Sequence, residues 1–163
     1  MEYFHQGNNH YIDEDYDDAE IFYSKAISEY ENSVKQPQQQ YNNNNNTTTT
    51  TTIYTNELLS KIYLHRGTTY LKLKKYYQAL EDYNVCIRIN LNILTIEIVY
   101  YRKGLTYFEL EEYESAKECF KKGLDLLNQI QNSNTNTIIK HSKRDINSYI
   151  RYIRKCDVEI EGR

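Results

Sequence analysis

The chain has 163 residues, enough for one ordinary domain with a continuous core. Its formal net charge of −3 gives no field that would draw in nucleic acid, and no run approaches the roughly 20 apolar residues of a membrane span. The opening MEYFHQGNNH lacks the basic and apolar segments of a secretory signal, so Cys86, Cys119 and Cys156 are expected to be reduced core thiols of a cytoplasmic or nuclear protein.

In chain order, the first predicted helix is Glu2–Ile12, with Tyr3, Gly7 and His10 at turn-to-turn spacing. The second, Tyr16–Glu31, opens on Asp17, Asp18 and Glu20, acids that suit the positive end of a helix dipole, and carries Ala19, Tyr23 and Ala26. Residues 32–55 read as a polar Gln/Asn/Thr insertion that holds the only proline, Pro37. It has almost nothing to bury and is expected to be disordered. Helices Asn56–Leu73 and Tyr76–Ile89 repeat the first pair, with Tyr63, Gly67 and Tyr70 on one and Ala79, Tyr83 and Cys86 on the other. Ile93–Leu110 and Tyr113–Gln129 repeat it again, with Tyr100, Gly104 and Tyr107, then Ala116, Phe120 and Gly123. In residues 138–161, Ile146, Tyr149, Ile150, Ile153, Cys156 and Ile160 recur with a helical period.

The glycines carry the most information, because the chain has only five. Gly7, Gly67 and Gly104 each follow a tyrosine by four residues and precede another ring by three; twelve residues on comes an alanine, and four later an aromatic. This is similar to the tetratricopeptide (TPR) signature, in which two antiparallel helices form each repeat. A glycine inside a helix costs up to about 1 kcal/mol relative to alanine, so its recurrence requires a compensating close approach of the paired helix. From Gly67 to Gly104 is 37 residues, near the usual repeat of about 34; from Gly7 to Gly67 is 60, which accounts for the insertion. The resemblance implies an all-α fold: a right-handed superhelix of three TPR helix pairs (residues 1–31, 56–91 and 93–130) plus a C-terminal capping helix at 138–161 that solvates the open end. Tyr16, Tyr76 and Tyr113 are expected to wedge between the two helices of their repeats.

No catalytic constellation emerges. The run Asp13, Glu14, Asp15, Asp17, Asp18, Glu20 alternates like a calcium loop, but the places that need glycine and glutamate hold Asp18 and Ser24. His5, His10, His65 and His141 have no paired spacing with one another or with a cysteine that would suggest ligation. Phosphate loops and nucleophile elbows are missing as well, so the expectation is no enzyme, no metal and no cofactor. Lys140, Lys143, Arg144, Arg151, Arg154 and Lys155 in the cap are either a solvated face or a surface for an acidic partner.

In a TPR superhelix the first helices of the repeats line a concave groove. Helical spacing puts Asn8, Tyr11, Lys61, Leu64, His65, Thr68, Leu71, Lys72, Tyr101, Arg102, Leu105 and Phe108 on that face as candidate partner-binding residues. TPRs that hold the acidic tail of heat-shock chaperones use a five-residue clamp of lysines, asparagines and an arginine. Asn8 and Arg102 match it, whereas Phe4, His65 and Ile98 occupy the other three places. A clamp without its lysines lacks the charge-assisted bonds that make it work, so a free chaperone tail is expected to bind feebly.

The third repeat, VYYRKGLTYFELEEYESAKECFKKGLDL, the early IDEDYDDAEIFYSKAI and the cap INSYIRYIRKCDVEI resemble the TPR domain of the suppressor of G-two allele of Skp-one family. That resemblance implies a co-chaperone adaptor that connects heat-shock protein 90 with client complexes, including the Skp-one adaptor of SCF ubiquitin ligases. In that family the TPR domain serves Skp-one binding or self-association, and a separate CS domain contacts the chaperone. The chain carries no CS segment, which marks it as a fragment or a TPR-only relative. The expected partners are therefore proteins, a Skp-one-type adaptor or a chaperone complex, with a homodimer as the rival arrangement.

Overall fold

A computed structural model describes residues 1–35, 45–90, 92–132 and 139–162. Among them the chain is all-α, with seven helices and no strand: α1 (Glu2–Ile12), α2 (Tyr16–Lys35), α3 (Asn45–Lys72), α4 (Tyr76–Ile89), α5 (Ile93–Glu109), α6 (Tyr113–Asn132) and α7 (Ile139–Glu161). They fall into two compact units, Met1–Asn90 and Leu91–Arg163. Within the described residues no helix is long and apolar enough to cross a membrane.

The first unit contains two helix pairs, α1 with α2 and α3 with α4, and α2 packs on α3. Each pair closes where a ring of the second helix lies flat on a glycine of the first. A Cβ built on Gly7 would stand 2.7 Å from the Tyr23 ring, and one on Gly67 would stand 2.8 Å from Tyr83. Both rings are fully buried, as are Ala19 and Ala79, one helical turn before them. Across the pairs, Arg66 of α3 makes a two-pronged ion pair with Asp82 of α4, both bonds 2.8 Å, and donates to Ser24 of α2 at 3.1 Å. One guanidinium thus ties three helices together in a fork geometry that a lysine cannot reproduce. Ser60 forms the other polar knot, with its carbonyl accepting from the Cys86 thiol at 3.3 Å and its hydroxyl accepting from Asn90 at 2.5 Å.

The second unit holds α5, α6 and α7. Gly104 carries the Phe120 ring, 2.7 Å from an added Cβ, as in the earlier pairs. The cap repeats the device one helix later: Tyr149 of α7 lies against Gly123 of α6, and its hydroxyl donates to the Glu97 carboxylate of α5 at 2.6 Å. The core is Tyr113, Ala116, Phe120, Leu127, Tyr149 and Cys156, and Lys117 pairs with Asp157 at its edge.

The turn inside each pair has one construction. Glu14, Lys74 and Glu111, each seven residues after its glycine, adopt φ of 61°, 59° and 59°. The next residue donates back to a carbonyl five positions earlier: Asp15 to His10, Lys75 to Tyr70, Glu112 to Tyr107. These are left-handed helix ends of the kind glycine usually supplies.

The helices fall where the sequence places them, but α2 runs on to Lys35, past Glu31, and α6 to Asn132, past Gln129, and the largest difference is at α3. The helix of the second repeat begins at Asn45, not Asn56, so the backbone of the threonine run continues α3 toward its N-terminus. Threonine is a mediocre helix former, but extension from an existing helix adds a hydrogen bond per residue without a nucleation cost. The rest of the insertion, residues 36–44, lies outside the described residues.

All three thiols are buried. Burial pushes Cys86 up to about 12 and Cys119 up to about 11, and it raises Cys156 in the same direction. Because the folded state holds these protons more tightly, their contribution to stability is complete below the ordinary thiol pKa of about 8.5 and is lost as pH climbs toward the folded values. At pH 8 the folded protein should react with thiol reagents at least about a hundredfold more slowly than the chain in denaturant, since the thiolate is the nucleophile; matching rates in a labelling time course would place the cysteines elsewhere. Gly67→Leu should lower the urea midpoint by an amount corresponding to about 1–3 kcal/mol or more, because Tyr83 has no room to retreat. An unchanged midpoint would show that no ring sits on this glycine.

Candidate functional site

The first helices of the two pairs in the first unit, α1 and α3, carry eight of the candidate groove residues. Two of them, Asn8 and His65, meet at the Tyr23 hydroxyl. The ring that fits on Gly7 sends its oxygen up to the next residue along α1, donating to the Asn8 amide oxygen at 2.8 Å. The same oxygen lies 3.5 Å from Nδ1 of His65 on α3. Phe4 closes the group, with its ring edge-on to His65 at 5.3 Å. Burial, with Tyr11 nearby, holds the Tyr23 phenol well above its ordinary pKa, so it stays a neutral donor at physiological pH.

A second group forms one turn further on. Tyr11 meets Tyr16 edge-on at 5.4 Å, and the Lys72 ammonium lies 6.0 Å from the same Tyr16 ring. Leu64 and Leu71 are half-buried, and Thr68 is buried with its hydroxyl returned to the Leu64 carbonyl at 2.7 Å. Lys61 is exposed and pairs with Glu57 along α3 at 2.8 Å. The face is therefore aromatic and amide in character, with two exposed lysines.

In the second unit the candidates on α5 are Tyr101, Arg102, Leu105 and Phe108, all half-buried. Tyr101 is edge-on to Tyr149 at 5.0 Å and to Phe120 at 5.8 Å; Phe108 is edge-on to Tyr113 at 5.2 Å and to Tyr152 at 5.7 Å. Leu105 packs against the same core. These three side chains spend part of their surface on α6 and α7, which the spacing of α5 alone does not reveal.

The structure also brings together residues that the sequence leaves apart. His10, Asp15 and Asp18 place ligand-type atoms within 4.8 Å of one another, and His10 pairs with Asp15 at 3.4 Å. The pattern escapes a search for histidine or cysteine pairs because the turn, not helical spacing, joins α1 to the acids. His10 also stacks on Phe22 at 4.9 Å, so an aromatic contact and an ion pair already account for its position. Of the six cap cations, Arg151, Arg154 and Lys155 are exposed; the side chains of Lys140, Lys143 and Arg144 lie outside the described residues.

Residues 60–93 and 98–127 each match a family model described as tetratricopeptide repeat. No curated protein sequence matches the chain. Solved structures share its fold. The first TPR of Spaghetti (RPAP3) bound to the HSP90 peptide SRMEEVD superposes with a TM-score of 0.55 at 20% identity, over 93% of this chain and 90% of that one. The TPR2B domain of yeast Sti1, in complex with pHsp70, gives 0.58 at 17% identity over 92% and 94%. The Sgt2 TPR domain from Aspergillus fumigatus gives 0.57 at 18% identity over 96% and 80%. The chain thus contains TPR repeats and has the fold seen in the TPR domains of these three proteins.

Proposed function

We propose that the chain is a non-catalytic scaffold that binds other proteins through the face of α1 and α3 in the first unit. The observation that carries this reading is the Phe4–Asn8–His65 group around the Tyr23 hydroxyl, with Tyr11 and Lys72 beside it. These are large side chains, able to stack and to hydrogen-bond, that the fold holds at its surface. Rigid aromatic and amide groups of this kind bury area at small entropy cost when a partner covers them.

The partner class follows from the resemblance to the suppressor of G-two allele of Skp-one family: a Skp-one-type adaptor of an SCF ubiquitin ligase, or a chaperone complex. A direct grip on a chaperone tail of the SRMEEVD kind is disfavoured. Phe4 and His65 stand where the tail-binding clamp needs a lysine and an asparagine, and their rings are engaged with each other. The Asn8 oxygen is engaged by Tyr23, which leaves its amide nitrogen as the donor on this side.

Calorimetry should show no micromolar binding of a peptide ending in EEVD that Asn8→Ala abolishes; binding of that kind would restore the clamp reading. In affinity purification, His65→Ala and Lys72→Glu should each remove most of the recovered protein partners without loss of helicity by circular dichroism, because both side chains are exposed. Undiminished recovery by both variants would remove this face from the function.

A further inference from the structure

We infer that the α5–α7 edge of the second unit is a docking surface for an acidic polypeptide segment carrying an apolar side chain. Phe108 of α5 and Ile150 and Val158 of α7 border a depression of about 760 Å³, together with Arg151, Arg154 and Lys155. Among the described residues Glu159 is the one acid on its rim, against three cations, in a chain whose net charge is negative. The positive character is therefore local, placed here by the i, i+3 and i+4 spacing of α7.

Two features separate this rim from an ordinary wet helix face. Arg151, Arg154 and Lys155 form no ion pair among the described residues, whereas Lys117, on α6 of the same unit, is paired with Asp157. Two of them are also held in place by aromatic contact. The Arg151 guanidinium and the Lys155 ammonium each sit 5.3 Å from the Tyr152 ring, which stacks on Phe120 at 5.1 Å and meets Phe108 edge-on. A ledge fixed in the core thus presents two cations in defined positions. Val158 is 68% exposed beside them, an apolar side chain left in water.

This combination selects its ligand. Carboxylates satisfy the cations, and a leucine-like side chain covers Val158 and Ile150 and displaces water from the depression. A nucleic acid would leave the apolar floor uncovered. The surface belongs to α5 and α7 and shares no residue with the α1–α3 face on which the proposed function rests.

The test uses the full chain and a fluorescent synthetic peptide in which leucine is embedded among glutamates, followed by anisotropy. Binding should weaken at least about tenfold between low and high salt, as exposed charge attraction is screened beyond about 10 Å at 0.1 M. It should weaken by a similar factor in Arg151→Glu/Arg154→Glu, and again when serine replaces the leucine. His65→Ala should bind this peptide normally, so failure of the α1–α3 face and failure of this surface are read separately. Absence of binding, or binding that survives the charge reversal, would overturn the proposal. So would equal competition by a short RNA or by anionic vesicles, or charge-reversal-sensitive growth of particle mass in light scattering, which would assign the surface to a second copy.

Discussion

A helix can carry an aromatic ring directly on its backbone only where the residue beneath has no Cβ. Gly7, Gly67, Gly104 and Gly123 each do so, and an added Cβ would stand 2.7–2.8 Å from the nearest ring atom. The glycines destabilise their helices by about 1 kcal/mol each relative to alanine. The rings they admit, Tyr23, Tyr83, Phe120 and Tyr149, are 0–1% exposed. Burying an aromatic removes roughly 150–250 Å² from water, worth on the order of 4–6 kcal/mol at about 25 cal/mol per Å². Burial outweighs the loss of helix propensity several-fold, so the glycine–ring contact is the term that sets how closely the helices of each pair approach.

The same contact also determines what the surface offers. A phenol seated on Gly7 is long enough for its hydroxyl to emerge beside Asn8 and His65, where it orients an amide and an imidazole. In the second unit Phe120 occupies the equivalent seat without a hydroxyl, and the polar end is supplied by Tyr149 of the cap, which reaches Glu97. Packing and display are thus one arrangement: the core face of each ring fixes the helices, and its far edge composes the neighbouring surface.

The register of the pairs was readable from sequence because glycine, alanine and aromatic residues recur at fixed offsets, and close packing admits few alternatives at those places. The left-handed turns were not, since Glu14, Lys74 and Glu111 share no residue type that marks a positive φ. There the flanking helices and the two backbone bonds across the turn impose the conformation. That Asn8 and His65 meet at one hydroxyl, with Phe4 against the imidazole, depends on how α2 positions Tyr23 between α1 and α3. Helical periodicity says nothing of that. The part-burial of Tyr101 and Phe108 likewise comes from α7, an element about forty residues further on whose partner surface no local pattern specifies.

The two surfaces differ in what they require of a ligand. Around His65 the polar groups are an amide, an imidazole and a phenol, already satisfied in part by one another, with rings between them. A partner there gains chiefly by covering aromatic area, because the Tyr23 hydroxyl already donates to Asn8 and Phe4 stands where a clamp would place a lysine. On α7, Arg151, Arg154 and Lys155 form no ion pair among the described residues and two of them sit on a fixed aromatic ledge, so a negative charge gains most and neutral apolar area alone would leave these charges desolvated without compensation. A scaffold with both chemistries discriminates by the cost of mismatch as much as by the strength of any contact, and that cost is set by which side chains the packing has already satisfied.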